Sequence, residues 1–435
     1  MSELLIGRCE DTLKSIASDS VDCIVTDPPY GYSFMGLNWD KALPSLESLQ
    51  ECLRVLKPGA FGFFMCTPRQ DCLGEMIHLL NKAGFETGFS SIYWCYATGF
   101  LKASNTSKLI DKRAGVEREI VGKNPCARPN SDYVYDSVYS TCIHAENITI
   151  PSTPEAKALE GAYSGFQPKP ATEIILVVMK PLSEKSYIDQ ALKNGHGVTW
   201  LGDCKIPYAG QMDISEPRIR TKNAHPMDWD NELNEKEFKP DNNGRFPANL
   251  LVSDNVLDDG DRSNCRVKDG SYKERNTIRS ILNTQEDDPF YSIGKQRLNK
   301  EISLNDDYGS FSRFFDLDAW FRSKLPEQAQ RTYPALIVPK PCASEKNKHA
   351  INKHPTVKPI KLMSYLITMG SRENDVILDP FCGSGTTGEA ARLLNRQFIG
   401  CELDPQWAEL IAARAGIRSY VPTAIEEEDL LEEWI

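Results

Sequence analysis

Asp27-Pro28-Pro29-Tyr30 places a carboxylate, a proline carbonyl and a phenol ring within four residues. The two acceptors can take hydrogen bonds from an amine, and the ring can stack on a flat partner. The run before it, Val21-Asp22-Cys23-Ile24-Val25, is short, β-branched and bounded by turn formers, which reads as a buried strand of a parallel sheet. Two successive prolines end that strand, because neither donates a ladder hydrogen bond and each restricts the residue before it. Asp27 and Tyr30 are therefore held on a stiff turn at the carboxyl end of a strand, where open α/β sheets bind ligands. Taken alone, the stretch also reads as an ordinary strand end with an incidental aspartate.

A second stretch able to do chemistry lies far downstream. Val376-Ile377-Leu378-Asp379-Pro380-Phe381-Cys382-Gly383-Ser384-Gly385-Thr386 is a strand running into a glycine-rich turn, followed by a helix from Glu389 to Leu394. Gly383 and Gly385 let the backbone turn tightly and approach a ligand, and Thr386 is expected to cap the helix. The turn lacks the Gly-Lys-Ser/Thr of a P-loop. The next strand, Gln397 to Cys401, ends in Glu402-Leu403-Asp404. An acid roughly 20 residues beyond such glycines is where a ribose diol is gripped, and a solvated strand end is the plain alternative. His354-Pro355-Thr356-Val357-Lys358-Pro359 precedes a helix whose Leu362, Tyr365, Leu366 and Met369 repeat with amphipathic spacing. His354 has no neighbour at metal-ligand spacing, so no metal is assigned.

The elements that carry these stretches alternate. Leu4–Ile6, the strand ending at Asp27, Ala60–Cys66 and Ser90–Tyr96 read as strands. A helix with Leu46, Leu49, Leu53 and Leu56, stopped by Lys57-Pro58-Gly59, and another over Gln70–Ala83 lie between them. Gly31–Asp40 is a glycine- and aromatic-rich loop suited to wall a site. Periodicity dissolves over Ala97–Pro170, too long a stretch for a simple connection. It returns in the apolar strand Glu173–Lys180 and fades again over Asp254–Leu325, where Phe311, Phe314, Phe315, Trp320 and Phe321 read as core. Leu201–Tyr208, Arg245–Ser253 and Ala335–Val338 read as extended pieces.

A chain of 435 residues accommodates about two to three domains, or one large domain with an insertion. A hydrophobic fraction of 40% with 26% charged residues is that of a soluble globular protein. No charge-free apolar run reaches the roughly 18 residues of a membrane span, and Met1–Ile6 has no secretory signature. The 13 cysteines form no CxxC pair, which argues against structural zinc and for reduced thiols in a cytoplasm. A net charge of −11 does not advertise a nucleic-acid partner. Basic charge is nonetheless local. Lys102–Arg128 holds seven basic residues against three acidic ones, and Arg331–Lys361 holds seven against Glu345 alone, while Glu426–Glu433 supplies six negative charges.

Together, Asp27-Pro28-Pro29-Tyr30, His354-Pro355-Thr356-Val357-Lys358-Pro359 and Asp379-Pro380-Phe381-Cys382-Gly383-Ser384-Gly385-Thr386 resemble the β group of S-adenosylmethionine-dependent DNA amino-methyltransferases, the DNA methylase N-4/N-6 family. Its order is catalytic motif, target-recognition region, cofactor motifs, and this chain has that order. Gly244-Arg245-Phe246-Pro247-Ala248-Asn249 and Phe34-Met35-Gly36 further resemble phage- and prophage-borne members.

The resemblance implies an α/β, Rossmann-like class I methyltransferase with a mostly parallel seven-stranded sheet, circularly permuted so that the catalytic half comes first. The expected division is a catalytic half over 1–96, an insertion over 97–170, a return to the sheet over 171–205, a target-recognition region over 206–335, a cofactor half over 336–420 and an acidic tail over 421–435. Implied catalytic residues are Asp27, Pro28, Pro29 and Tyr30, with Tyr30 stacking on a flipped-out base. S-adenosylmethionine is implied at His354, Thr356 and Lys358, at the turn residues Asp379, Phe381, Gly383, Ser384, Gly385 and Thr386, and at Glu402 and Asp404. The expected reaction is site-specific methylation of adenine N6 in double-stranded DNA, since Asp rather than Ser stands at position 27. Cytosine N4, or an RNA or protein-glutamine substrate, are the alternatives; a homodimer and a restriction endonuclease partner stay open. One departure bears on the cofactor: Gly7-Arg8-Cys9 stands where members commonly read Gly-Asp-Cys, and arginine cannot replace that acid.

Overall fold

The computed structural model describes residues 2–31, 40–96, 103–123, 147–166, 168, 171–208, 244–252, 315–324, 352, 354 and 357–418, with the backbone of four short strands between 218 and 309. β1 (Glu3–Ile6) and α1 (Cys9–Thr12) lead into β2 (Val21–Thr26), all six residues of which are buried. α2 (Leu46–Val55) starts at Ser45, whose Oγ accepts from the Ser48 amide at 3.0 Å. The helix runs directly into β3 (Leu56–Cys66). Lys57-Pro58-Gly59, expected to separate helix from strand, is instead a bulge inside β3: Val21 pairs with Leu56, but Cys23 pairs with Phe61. Pro58 offers no ladder donor and Gly59 takes φ +79°, so these residues kink the strand without ending it. α3 (Gln70–Ala83) closes on Gly84 at φ +105°, and β4 (Ile92–Cys95) follows.

The described part of 97–170 contains α4 (Thr106–Ala114), the antiparallel pair β5 (Glu119–Lys123) and β6 (Asn147–Ile150), and α5 (Pro154–Ala158). A polar knot holds it. Buried Asp111 accepts from Arg118 at 2.8 Å, from Thr153 Oγ1 at 2.7 Å and from the Ser152 and Thr153 amides. A unit centred on a carboxylate shows no hydrophobic period, which is why the sequence looks structureless there.

β7 (Thr172–Met179) and α6 (Tyr187–Asn194) come next. Two small antiparallel pairs, β8 (Arg218–Arg220) with β9 (Lys236–Phe238) and β11 (Ser263–Asn264) with β12 (Tyr308–Gly309), flank β10 (Leu250–Val252) in sequence. α7 (Leu317–Lys324), α8 (Ile360–Gly370), β13 (Val376–Asp379), α9 (Thr386–Leu393), β14 (Gln397–Glu402) and α10 (Ala408–Ala415) complete the described strands and α-helices. The strand expected at Ala335–Val338 lies outside the described residues, as does the tail.

The main sheet has eight strands in the order β1-β14-β13-β2-β3-β7-β4-β10. This is one more than the seven expected. The added edge strand is β10, from the 206–335 region, which pairs parallel with β4 through Leu250 and Tyr93. Only β7 is antiparallel to its neighbours. The last two described strands lie between the first two, so the permuted order is built into the hydrogen bonding. One face of the sheet packs on α1, α2 and α3, and the other on α7 through α10.

α8 departs from the amphipathic helix read in the sequence, because all eleven of its residues are buried. α7 supplies the cover. Trp320 lies edge-on to Tyr365 with ring centres 4.7 Å apart, its Nε1 donates to the Asp203 carbonyl at 3.0 Å, and fully buried Lys361 pairs with Asp318. Burial lifts the Asp318 carboxyl to about 6, opposed by the Lys361 charge. Trp320→Ala should therefore destabilise the whole domain by about 3–5 kcal/mol in urea denaturation. A loss below 1 kcal/mol would show that α7 is dispensable to the core.

Candidate active site

β2 and β13 are parallel neighbours, so their carboxyl ends deliver Asp27 and Asp379 to the same edge of the sheet. Asp379 is the joint. Its Oδ1 accepts from Thr26 Oγ1 at 2.7 Å and the Phe381 amide at 3.1 Å, and its Oδ2 accepts from Thr387 Oγ1 at 2.6 Å. The carboxylate thus locks the strand before Asp27 to the helix after the glycine turn. Burial raises its pKa to about 6 although the hydroxyls of Thr387 and Thr26 favour the charged form.

The Asp27 turn is fixed from two sides. Buried Asp40 accepts from the amides of Tyr30 at 2.7 Å and Gly31 at 3.3 Å, which sets the course of the chain after the prolines. Tyr30 Oη donates to Asp27 Oδ1 at 2.6 Å. Lys358 Nζ, implied at the cofactor, lies 2.7 Å from Asp27 Oδ2, 3.1 Å from Glu173 Oε2 and 3.3 Å from Tyr30 Oη. Tyr96 Oη donates to the other Glu173 oxygen at 3.3 Å. Burial opposes the Lys358 charge, but Asp27 and Glu173 outweigh it and hold the amine protonated. Burial, reinforced by Asp27 and Glu173, pushes the Tyr30 phenol far up and keeps it neutral.

The glycine turn needs its glycines. Gly383 and Gly385 take φ +52° and +75°, and a Cβ on Gly385 would meet the Ile411 backbone at 2.9 Å. Gly385 itself occupies the N-cap of α9. Thr386, expected as the cap, is the first helical residue, because the left-handed glycine already turns the chain. Ser384 is buried and held by Arg414, which is in turn paired with Glu389 at 2.8 Å. Glu402 Oε2 accepts from the Gly383 amide at 2.7 Å and its Oε1 from the Asp404 amide at 3.0 Å. Asp404 Oδ1 accepts from the Gln406 amide at 3.0 Å. The His354 ring stands edge-on to Trp407 at 5.0 Å, and a Cβ on Gly383 would meet it at 3.0 Å.

These positions bring His354, Gly383, Glu402 and Asp404 together around one turn. Phe381 packs instead against the apolar cluster on the α1–α3 face. Thr356 lies outside the described residues. Arg8 pairs with Glu10 at 3.0 Å, so the departure at Gly7-Arg8-Cys9 leaves that acid engaged. Of the basic residues, Lys112 and Arg113 are exposed on α4, whereas Arg118 belongs to the Asp111 knot. Lys102, Arg128 and most of 331–361 lie outside the described residues.

Sequence reasoning missed Glu173, Tyr96, Asp40 and Trp407. Glu173 is an acid opening an otherwise apolar strand, a signal that gains meaning only when β7 is antiparallel. Such a strand brings its first residues to the edge where its parallel neighbours end. Among the described residues no group of three His, Cys, Asp or Glu can hold a metal, and no helix is long and apolar enough to cross a membrane.

The fold and this edge define an α/β protein of the Rossmann-like methyltransferase class, with an acidic Pro-Pro-Tyr turn bonded to a glycine turn. The chain belongs to the DNA methylase family (N6_N4_Mtase), which matches residues 21–413. Locally it is similar to the type II methyltransferase M2.MboI of Moraxella bovis, 50% identical over 62 residues, 14% of this chain and 23% of that protein. M2.LlaDCHI of Lactococcus lactis subsp. cremoris is 41% identical over 71 residues, 16% and 26% of the respective chains. The matched stretch thus spans about a quarter of these curated relatives. Among solved structures, PvuII DNA methyltransferase (cytosine-N4-specific) covers 99% of this chain and 90% of its own at 13% identity and a TM-score of 0.39.

Glu402 gives this site a pH signature. Burial raises its carboxyl from 4.5 to about 7, against the Asp404 and Gly383 amides that favour the charge. The folded chain therefore keeps a proton that the unfolded chain has lost, and stability falls as pH rises through that window. Asp379 and Asp318, both raised to about 6, act in the same direction. Melting temperatures across this range should decline with pH, and Glu402→Gln should make the decline shallower. An unchanged slope in the variant would contradict the raised carboxyl.

Proposed function

We propose that this chain is a site-specific DNA methyltransferase that moves a methyl group from S-adenosylmethionine to the exocyclic N6 of an adenine flipped out of duplex DNA. The observation that carries this reading is the Thr26–Asp379–Thr387 clamp, which fixes an amine-accepting turn beside a glycine turn with an acid at its rim. The residues fit the cofactor. Positive-φ glycines give close backbone approach, and Glu402 is half-buried with each oxygen holding one backbone amide, which leaves lone pairs for the ribose hydroxyls. S-adenosylmethionine supplies an electrophilic sulfonium methyl.

An exocyclic amine is a poor nucleophile because its lone pair is delocalised into the ring. Asp27 and the Pro28 carbonyl accept its two N–H groups and stabilise the positive charge that builds on nitrogen. Pro29 keeps the turn stiff. Tyr30, its ring oriented by the 2.6 Å bond to Asp27, stacks on the base. No thiol nucleophile is needed, and burial pushes Cys9 up to about 12. Aspartate at position 27 favours adenine over cytosine. Exposed Lys112 and Arg113 are proposed phosphate contacts. The type II relatives suggest a restriction-modification setting.

The purified protein with labelled S-adenosylmethionine and unmodified duplex DNA should yield N6-methyladenine on nucleoside analysis. N4-methylcytosine would move the target to cytosine, and label in RNA or protein alone would overturn the DNA substrate. Asp27→Ala should lower transfer at least about 100-fold while cofactor binding, followed by calorimetry, persists. An active Asp27→Ala variant would refute the mechanism.

A further inference from the structure

Both oxygens of Asp27 are engaged by the chain's own donors, Tyr30 Oη on Oδ1 and Lys358 Nζ on Oδ2. A lone pair remains on each oxygen, but the ammonium on Oδ2 draws that oxygen's charge and occupies the approach a weaker, neutral N–H donor needs. Glu173 changes that balance. Its Oε2 is buried and accepts no well-aligned hydrogen bond, yet it lies 3.1 Å from the same ammonium. The other Glu173 oxygen is steadied by Tyr96. Lys358 thus stands between two carboxylates, one to which it donates and which also holds Tyr30, and one whose facing oxygen is in ion-pair contact but accepts no aligned hydrogen bond.

We propose that Glu173 is a positioning residue for the reaction. It takes over the Lys358 ammonium, so that Asp27 Oδ2 is released to the target amine. The proposal rests on the amine-methylation reading given above. The displacement asked of Lys358 is small, because Nζ is already in contact with both carboxylates, and the ammonium never loses an anionic partner. A buried cation with one carboxylate could leave it only at a large desolvation cost. Tyr30 keeps its bond to Oδ1 throughout, so the ring that meets the base does not move with the lysine. A neutral side chain at position 173 would leave the ammonium on Asp27.

Glu173→Gln retains the shape of the side chain and a partner for Tyr96 but removes the charge. In steady-state assays with duplex DNA, its kcat should fall by about 100-fold with little change in KM for either substrate, the size of effect typical of misplacing a reacting group. The decisive measurement adds Lys358→Met to it. If Glu173 acts by drawing Lys358 off Asp27, the double variant regains activity over Glu173→Gln alone, because the ammonium that blocks Asp27 is gone. A merely structural Glu173 gives a double variant as slow as Glu173→Gln or slower, and that result overturns the proposal. Wild-type kcat in Glu173→Gln overturns it as well. Should Glu173→Gln fail to fold by circular dichroism, Glu173→Asp keeps the charge but withdraws the acceptor by one methylene. It should lower kcat without raising KM, and wild-type kcat there again overturns the proposal. A wild-type protein that methylates no DNA amine defeats the underlying reading instead, so the two failures are distinguishable.

Discussion

The bond between Thr26 and Asp379 joins residues 353 positions apart in sequence, and the site depends on it. Without it, the Asp27 turn and the glycine turn would be related only through the β2–β13 ladder, with no side-chain tie between the strand before Asp27 and the helix after the glycine turn. A charge this buried is tolerated because Thr26, Thr387 and the Phe381 amide all donate to it. Burial nonetheless raises the carboxyl to about 6, so the clamp sits near its own titration. The framework of the proposed site thus rests on a buried carboxyl held by three donors.

The remaining polar groups at this edge follow the same economy of donors and acceptors. Asp40 uses one oxygen on two amides to set the turn after the prolines, and Glu402 uses both oxygens on backbone amides to set the glycine turn. Each acid shapes backbone before it meets any ligand. Lys358 differs, since it is shared between Asp27 and Glu173 rather than committed to one partner. Fixed acids around one shared cation make the geometry of this edge stiff.

The two faces of the sheet solve different problems. α1, α2 and α3 bury ordinary apolar stripes, which the periodic leucines announce. On the other face α8 is buried on every side, because α7 from the middle of the chain closes over it and answers Lys361 with Asp318. Helix spacing alone could not show this, since an amphipathic repeat defines the face that must be buried, not whether the opposite face is covered too.

Several features were determined locally. Val21–Thr26 had to be a buried strand ended by Pro28-Pro29, and Gly383 and Gly385 had to turn. These follow from side-chain volume, missing donors and allowed dihedrals, which act between near neighbours. Tertiary structure decided the rest. It made Lys57-Pro58-Gly59 a bulge, gave the N-cap to Gly385 rather than Thr386, and set Lys358 on Asp27. It also added β10 as an eighth strand and gave the described residues of 103–123 and 147–166 a polar centre. Glu173 is the clearest case. Its type and position were plain in the sequence, but its place beside Asp27 depends on β7 running against its neighbours, and strand direction is set by hydrogen bonding to distant strands.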